Sequence, residues 1–381
     1  CVMMTIKDRI SEKFKELFSC SGTVYMSAGR INLIGEHTDY NGGFVFPGAI
    51  DKGIWVEMKP NGGKNVRVYS LDFGEYSEFG MNEEDAPSRS WARYVFGVCR
   101  EIIKRGYAFG GFDAVFAGDV PLGAGLSSSA ALESAFGFGI NDMYSLGISR
   151  FDLALAGQAT EHNYCGVNCG IMDQFASIFG KAGNLMRLDC MTLEYEYYPF
   201  KPEGYRLVLL DSAVKHELVG SPYNKRRESC ERVAARLGRK FLRGASMDEL
   251  DAVKADISEE DYRRARYVIG EEKRVLTVCD ALNRGDYETV GRMMYETHRG
   301  MRDDYEVSCE ELDYLNDMAA ECGVTGSRIM GGGFGGCTIN LVKDEVYTGF
   351  IDKAVVSFAA RYGHAPKVYD VVISDGARRV E

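Results

Sequence analysis

One short stretch of the sequence, residues 29–41, carries an arginine, two carboxylates and a histidine between glycines. These residues are Arg30, Glu36, His37 and Asp39. Carboxylates accept short, charge-assisted hydrogen bonds from hydroxyl groups, which suits the recognition of a ring of hydroxyls such as a monosaccharide. Taken by itself, the stretch would more readily be interpreted as a solvated polar turn. We therefore interpret residues 29–41 as a sugar-binding loop, hereafter the sugar loop, only in combination with the motifs that follow.

A second stretch, residues 121–133, is a glycine loop that runs into a serine-rich helix start and reads PLGAGLSSSAALE. Glycines let backbone N–H groups close on an anion, and the helix N-terminus adds a partial positive charge there. Serine hydroxyls at such a helix start can bind phosphate oxygens or a magnesium ion. The loop lacks the Gly-Lys-Ser/Thr of the common nucleotide loop and the glycine spacing of a dinucleotide fingerprint. It predicts a phosphate-binding loop of another type.

Two further stretches contain chemically useful residues. Residues 331–336 include five glycines ahead of a predicted strand over 339–342, and such a turn lets another backbone approach closely. Residues 161–174 contain Glu161 and Asp173, of which one can hold a metal ion and the other a hydroxyl proton. Considered singly, the glycine turn can be purely structural, and an acid on a helix is usually a solvated surface group.

Composition limits the functions that this chain can have. The formal charge of −11 argues against nucleic acid as a partner, because binding to phosphate backbones needs clustered cations. No apolar run is long enough for a membrane helix, and the segment Thr5–Phe18 predicts an amphipathic helix rather than a signal peptide. The eleven cysteines include no C-x-x-C pair, which indicates neither a disulfide framework nor a structural zinc site. We expect a cytoplasmic enzyme.

The elements that must position these motifs can be predicted from periodicity. Strands are predicted over residues 25–28, 53–58, 65–69, 112–117 and 205–210, and helices over 91–103, 224–237 and the segment around 312–322. The composition becomes strongly helical between about residues 222 and 322. Pro199 and Pro202 interrupt regular structure, so the sequence predicts two domains, 1–203 and 204–381.

In their order and spacing, the three glycine-bearing motifs resemble those of the GHMP small-molecule kinases. Among these kinases, residues 29–43 and 170–174 are similar to the galactokinases. The resemblance implies an N-terminal α/β domain like domain 2 of ribosomal protein S5. It also implies a C-terminal ferredoxin-like α+β domain, with the active site in the cleft between the two. The implied reaction is phosphorylation of the C1 hydroxyl of galactose by ATP with a magnesium ion, carried out by a monomer without a membrane or nucleic-acid partner.

The resemblance also implies roles for individual residues. Galactose would be bound by Glu36, His37, Thr38, Asp39, Gly170 and Tyr223. The ATP phosphates would be bound by Gly123, Ala124, Gly125, Leu126, Ser127, Ser128, Ser129 and Ala130, and the adenine pocket would include Ser70 and Trp91. Ser129 and Glu161 would hold magnesium. Asp173 would take or orient the C1 hydroxyl proton, and Arg30 would stabilise charge on the transferred phosphoryl group.

One departure and three alternatives accompany this interpretation. Gly48 occupies a position where relatives often have a larger residue, which would alter packing behind the sugar loop. A silent sensor of galactose and ATP is one alternative, although the serine loop and Asp173 are intact. A kinase for a neighbouring sugar, such as N-acetylgalactosamine or arabinose, is the second. The third is a structural or interaction protein in which the glycine loops are only turns.

Overall fold

The computed structural model describes residues 3–121, 124–214 and 221–380. Within these ranges the α-helices are α1 (Ile6–Phe18), α2 (Ser90–Lys104), α3 (Ser128–Met143), α4 (Arg150–Tyr164), α5 (Met172–Phe179), α6 (Ser221–Arg236), α7 (Met247–Ala252), α8 (Glu259–Asn283), α9 (Tyr287–Asp303), α10 (Glu310–Glu321) and α11 (Asp344–Tyr362). The strands are β1 (Thr23–Asn32), β2 (Phe44–Val45), β3 (Pro47–Pro60), β4 (Val66–Ser70), β5 (Glu75–Phe79), β6 (Phe112–Gly118), β7 (Asn184–Asp189), β8 (Tyr195–Pro199), β9 (Tyr205–Asp211), β10 (Gly326–Met330), β11 (Cys337–Lys343), β12 (Lys367–Val371) and β13 (Arg378–Val380). Short 3₁₀ turns cover Asp39–Asn41, Glu83–Asp85 and Lys254–Asp256.

The first sheet has the strand order β13-β1-β3-β6-β4-β5. All of its pairings are antiparallel except that of β4 with β6. Helix α1 covers one face, where the fully buried Ile10 and Phe14 pack with Val115 of β6. This helix begins with a capping box, in which the N–H of Asp8 donates to the Thr5 hydroxyl and the N–H of Thr5 donates to the Asp8 carboxylate, so that donors at the helix start are satisfied. The first sheet therefore forms a layer onto which the N-terminal helices pack.

The second sheet has the order β10-β11-β9-β12 and is antiparallel throughout. Strand β9 alternates between two apolar environments, as the two-residue period of a strand requires. Val208 and Leu210 pack with α10 and α11, whereas Leu207 and Leu209 join the core that continues into the first sheet. A third, small sheet has the order β2-β7-β8. This mixed architecture confirms the predicted combination of α/β and α+β folds.

The chain segment that follows β12 returns to the first sheet. β13 pairs with β1 in the register Val24↔Val380, and Ile373 forms an isolated bridge with Ile50. The N–H of Ala377 donates to the carbonyl of Ser177 at a distance of 2.8 Å. The division into domains 1–203 and 204–381 stays a prediction, and strand β13 of the second part completes the sheet of the first.

Several local predictions are confirmed. The strands predicted over 25–28, 53–58, 112–117 and 205–210 fall within β1, β3, β6 and β9, and the helix predicted over 91–103 falls within α2. The predicted strand over 65–69 is observed one residue later. Strand β1 is longer than predicted, because it continues to Asn32 and so includes Arg30. Among the helices of the described residues, none combines the length and apolar character needed to cross a membrane.

Helix α9 packs very closely on the second sheet at Gly291. A Cβ atom at Gly291 would overlap the carbonyl of Thr325, next to β10. This close approach brings His298 of α9 to β10, where its Nδ1 accepts the N–H of Ile329 at 3.2 Å. Glycine is therefore required at position 291, where α9 crosses the start of β10.

We expect Gly291→Ala to lower the free energy of unfolding by about 1–3 kcal/mol, because the added methyl group overpacks a backbone contact. The matched control is Gly349→Ala in helix α11, where an added Cβ meets nothing within 4 Å. There the same change should raise the stability by up to ~1 kcal/mol through helix propensity. Urea denaturation of both variants measures the difference, and equal effects would contradict the packing argument.

Candidate active site

The catalytic pair predicted from the sequence is in direct contact. Arg30, on β1, donates from Nε to Asp173 Oδ1 at 2.8 Å. Asp173 lies in the first turn of α5, and its other oxygen, Oδ2, accepts the hydroxyl of Ser127 at 2.6 Å. Arg30 also donates to the carbonyl of Gly125 in the phosphate loop. Three separate stretches of sequence therefore meet at one carboxylate.

Glu36 is held by one of its two oxygens. Its Oε1 accepts Arg328 Nη2 at 3.1 Å, Asn32 Nδ2 at 3.2 Å and the N–H of Gly331 at 2.9 Å. Glu36 is almost fully buried, with a relative exposure of 5%. Gly331 opens the glycine turn, residues 331–336, in which the N–H of Phe334 donates to the carbonyl of Val307 at 2.6 Å, so another backbone approaches this turn closely.

Asp39 faces the same pocket from the 3₁₀ turn. A Cβ atom at Gly170 would lie 3.1 Å from Asp39 Oδ2, so these two predicted sugar-binding residues are neighbours. The pKa of Asp39 is raised to about 6, mainly by burial and in smaller part by the negative charges of Glu36 and Asp173. Backbone N–H groups, including that of Tyr40, act in the opposite direction. The carboxylates of Glu36, Asp39 and Asp173 thus lie close enough together for their charges to interact.

His37 is bound within the protein through both ring nitrogens. Nε2 lies 2.9 Å from the carbonyl of Gly332, which can only accept, and Nδ1 lies 2.8 Å from the Tyr40 hydroxyl. Nε2 therefore carries the proton, and Nδ1 accepts from Tyr40. Burial lowers the pKa of His37, which is consistent with this neutral form. The Tyr40 hydroxyl is itself 2.6 Å from that of Tyr305.

The remaining predicted sugar-binding residues lie around this histidine. Tyr223, on α6, has its ring centroid 5.4 Å from that of His37. The hydroxyl of Thr38 donates to the carbonyl of Phe44 at 2.6 Å, so it stabilises the sugar loop. Direct contact of His37 and Thr38 with a sugar stays a prediction, and it would require these internal bonds to be exchanged.

The phosphate loop is described from Ala124 onward, since Leu122 and the predicted ATP-binding residue Gly123 lie outside the described residues. Gly125 has a φ of +74°, a conformation that glycine adopts without strain. The carbonyl of Leu126 accepts the N–H of Arg30 at 3.0 Å, which attaches the loop to β1. Ser127 has a φ of 60° and directs its hydroxyl to Asp173. Ser128, Ser129 and the buried Ala130 begin helix α3.

Ser129 and Glu161 are brought together as predicted for a metal site. Ser129 Oγ donates to Glu161 Oε1 at 2.8 Å, and hard oxygen donors of this kind suit magnesium. Within the described ranges, no group of three or more His, Cys, Asp and Glu residues is arranged to hold a metal ion. The remaining ligands of a magnesium ion would then be nucleotide phosphates and water, as is usual for this ion.

A second glutamate lies beside this pair. Burial raises the pKa of Glu133 well above its ordinary value, and the charge of Glu161 adds to the effect. Gln174 donates to Glu133 Oε2 at 3.0 Å. Glu133 was not anticipated from the sequence, and it connects helix α3 to the helix that carries Asp173.

Ser70 and Trp91 lie beside the strand that leads into the phosphate loop. Ser70 is fully buried on β4 and is in register with Phe116 of β6. The Trp91 ring lies 5.4 Å from that of Phe116, and its Nε1 donates to Glu75 at 2.8 Å. Their assignment to an adenine pocket stays a prediction.

Sequence reasoning missed two residues that hold the sugar loop from the second half of the chain. Arg328, on β10, is completely buried and donates from Nε to the carbonyl of Leu33 at 2.7 Å. Glu271, on α8, is also completely buried and accepts the N–H of Gly35 at 2.8 Å. In the sequence, Arg328 is visible only as a charged residue close to the glycine turn, and this position does not identify its hydrogen-bond partners.

Family models match three segments of the chain. Residues 12–60 match the galactokinase galactose-binding signature, residues 93–181 match the N-terminal domain of GHMP kinases, and residues 279–347 match their C-terminal domain. The chain is 39% identical to the galactokinase of Clostridium beijerinckii, over 97% of this chain and 98% of the relative. The chain belongs to the galactokinase family. The galactokinase of Exiguobacterium sibiricum is similarly related, with 40% identity over 98% of each chain.

Solved structures support the galactokinase family at the level of the fold. The structure of Lactococcus lactis galactokinase complexed with galactose matches with a TM-score of 0.92 and 35% identity, over 99% of this chain and 100% of that one. Mevalonate kinase of Methanococcus jannaschii matches with a TM-score of 0.67 and 15% identity, over 93% and 99%. This second likeness shows the GHMP kinase fold alone.

We expect Asp39→Asn to stabilise the protein in a pH-dependent way. Because burial raises the pKa of Asp39 above its ordinary 3.8 to about 6, the folded state loses stability as the pH rises across this interval. Asparagine does not ionise, so the variant should exceed wild type by roughly 1–3 kcal/mol above pH 6.5 and by little near pH 4.

Urea denaturation at a series of pH values measures this difference. The matched control is Asp152→Asn, since Asp152 lies in the first turn of α4 and is partly exposed. A gain in stability that is independent of pH would contradict the assignment of Asp39 as the titrating group.

Proposed function

We propose that the protein transfers the γ-phosphoryl group of ATP to the C1 hydroxyl of D-galactose, giving galactose 1-phosphate and ADP. The observation that carries this proposal is the contact of Asp173 with Arg30 and Ser127. It places one carboxylate between the strand that enters the sugar loop and the loop predicted to bind phosphates. The names of the relatives and the galactose-binding signature over residues 12–60 support galactose as the sugar.

The sugar is proposed to lie among the three carboxylates of Glu36, Asp39 and Asp173. Each sugar hydroxyl donates a hydrogen bond, and an array of acceptors in fixed positions distinguishes the epimer whose hydroxyls point at them. Gly170 leaves room beside Asp39, because even one methyl group there would lie 3.1 Å from Oδ2. Tyr223 is proposed to cover the sugar from the α6 side.

Phosphoryl transfer requires mainly positioning and charge stabilisation, because its transition state is loose and rich in negative charge. Arg30 supplies a fixed positive charge next to Asp173. As the sugar O1 bonds to phosphorus and the bond to ADP breaks, the O1 proton passes to Asp173. We propose that Asp173, which is held in place by Arg30 and by the Ser127 hydroxyl, orients the C1 hydroxyl and receives its proton as the new bond forms.

We propose that Ser129 and Glu161 hold a magnesium ion together with the ATP phosphates. The ion neutralises charge on the transferred phosphoryl group when it is bound. Ser128 and the backbone at residues 124–130 are proposed to bind the phosphates at the N-terminus of α3, where anions are favoured.

Three general properties of the protein are also proposed: its domain division, its location and its oligomeric state. We propose two domains, 1–203 and 204–381, a cytoplasmic location and a monomeric enzyme. The formal charge of −11 favours a small-molecule substrate over a nucleic-acid partner. Sedimentation of the purified protein tests the monomer, and cell fractionation tests the location.

We expect wild type to phosphorylate galactose in preference to N-acetylgalactosamine, glucose and arabinose when ATP and magnesium are present. Asp173→Asn should reduce kcat by a factor of a thousand or more, because it removes the proton acceptor. It should leave galactose affinity within about tenfold, because the amide oxygen still accepts a hydrogen bond. Initial rates with direct identification of the sugar phosphate measure this, with Asp152→Asn as the control.

The outcomes separate the alternatives. An unchanged kcat for Asp173→Asn would remove Asp173 from the mechanism. Wild type that binds galactose and ATP without forming sugar phosphate would be a sensor. A preference for another sugar would leave the mechanism in place and change only the substrate.

We expect Glu161→Gln to raise the magnesium concentration needed for half-maximal rate by tenfold or more, because it replaces a charged ligand with a neutral one. The KM for galactose should change less than twofold. Calorimetric titration of ADP with and without magnesium gives a readout independent of turnover. Equal magnesium dependence in wild type and variant would place the ion elsewhere.

A further inference from the structure

We propose that Arg328 is a positioning residue that fixes the orientation of Glu36 toward the sugar. This inference rests on the proposed function and extends it to a residue outside the predicted site. Arg328 is on β10, in the second sheet, and its side chain has no exposed surface. Its guanidinium group reaches the sugar loop, which belongs to the first half of the chain.

The hydrogen bonds of Arg328 are concentrated on the entrance to the sugar loop. Its Nε donates to the carbonyl of Leu33 at 2.7 Å, and Nη2 donates to the carbonyl of Asn32 and to Glu36 Oε1. Nη1 donates to the carbonyl of Ile329 on its own strand. The planar group thus bonds both to the backbone that leads into the loop and to the side chain that the loop presents.

The bonds to Glu36 are distributed unequally between its two oxygens. Within the described parts of the chain, all three bonds recorded for the Glu36 carboxylate end on Oε1, from Arg328, Asn32 and Gly331. With Oε1 occupied, rotation of the carboxylate would break these bonds. Oε2 is therefore held in a fixed direction, as a site that recognises a hydroxyl requires.

Glu271 holds the same loop by accepting a hydrogen bond from its backbone. Its Oε1 accepts the N–H of Gly35 at 2.8 Å, while its Oε2 accepts Thr297 Oγ1 at 2.7 Å and Arg274 Nε at 2.8 Å. The buried cation Arg328 thus binds the carbonyls of Asn32 and Leu33, and the buried anion Glu271 binds the N–H of Gly35. A loop fixed in this way has little freedom except at the Glu36 side chain, which Arg328 restrains.

Lysine cannot replace this function of Arg328. An ammonium group carries the same charge but lacks the planar arrangement of donors that reaches two carbonyls and a carboxylate together. We therefore expect Arg328→Lys to raise the KM for galactose by tenfold or more. The KM for ATP should change less than twofold, and kcat at saturating galactose should fall less than fivefold.

The test is a double-mutant cycle that combines Arg328→Lys with Glu36→Ala, with galactose affinity measured by calorimetry and by initial rates. If Arg328 acts through Glu36, the lysine substitution should weaken galactose binding by tenfold or more in wild type and by less than twofold in the Glu36→Ala background. Equal effects in the two backgrounds would overturn the proposal. So would a parallel loss of galactose and ATP affinity.

Arg264→Lys is the matched control for a buried arginine. Arg264 on α8 is 2% exposed and bonds to Glu260, Glu306 and the carbonyl of Asp304. We expect it to reduce stability without a selective change in the KM for galactose. If Arg328→Lys, like this control, reduces stability without a selective change in the KM for galactose, the role of Arg328 is merely structural.

A second variant keeps the test valid if Arg328→Lys does not fold. Asn32→Ser shortens another donor to the same Glu36 oxygen and should also raise the KM for galactose selectively, by about threefold or more. If the ratio of the KM for galactose to the KM for ATP is unchanged in this variant, the bonds to Glu36 Oε1 do not set its orientation toward the sugar, and the proposal is overturned. Absence of galactose turnover in wild type would refute the proposed function instead, so the two failures are distinguishable.

Discussion

The arrangement of the active site depends on the burial of the Arg328 guanidinium against the sugar loop. A charge removed from water is tolerated only when partners surround it, and here those partners are backbone carbonyls and Glu36. Arg328 is on the second sheet, whereas the loop leaves the first sheet at the end of β1. Satisfying one cation therefore forces the two sheets into a fixed relation. The glycine turn that follows β10 contributes to the same contact, because Gly331 and Gly332 bond to Glu36 and His37.

The pocket that results is unfavourable without a ligand. The carboxylates of Glu36, Asp39 and Asp173 lie near one another, with Arg30 and Arg328 as compensating cations, and the pKa of Asp39 is raised first by burial and then by the two neighbouring charges. A bound sugar would supply hydroxyl donors to these buried carboxylates. Such a site sacrifices stability for function, as strained or electrostatically poor active sites generally do. Ser127 shows a related compromise, because it adopts a left-handed backbone conformation while directing its hydroxyl to Asp173.

The sequence was sufficient for features that depend on short segments. The glycine loops, the serine-rich helix start and most strands follow from local patterns, and the assignment of Arg30 and Asp173 to one site came from the family resemblance. The roles of Arg328 and Glu271 were not predictable, because their partners lie in a distant part of the chain and no periodicity encodes them. The contact of Ser127 with Asp173 was missed because it depends on one backbone conformation. For Gly48, an added Cβ would overlap Leu185, so the structure explains the small residue by packing that no local pattern reveals.

Strand β13 has a consequence for how the protein is made. It pairs with β1, so residues near opposite ends of the sequence share one edge of the first sheet. During synthesis β1 is available early, whereas its outer partner emerges after the whole second sheet. Until then β1 is an open sheet edge, which is a template for unwanted pairing. The first sheet can therefore be completed only after the segment that carries β13 has left the ribosome, and the outer edge of β1 stays unpaired until then.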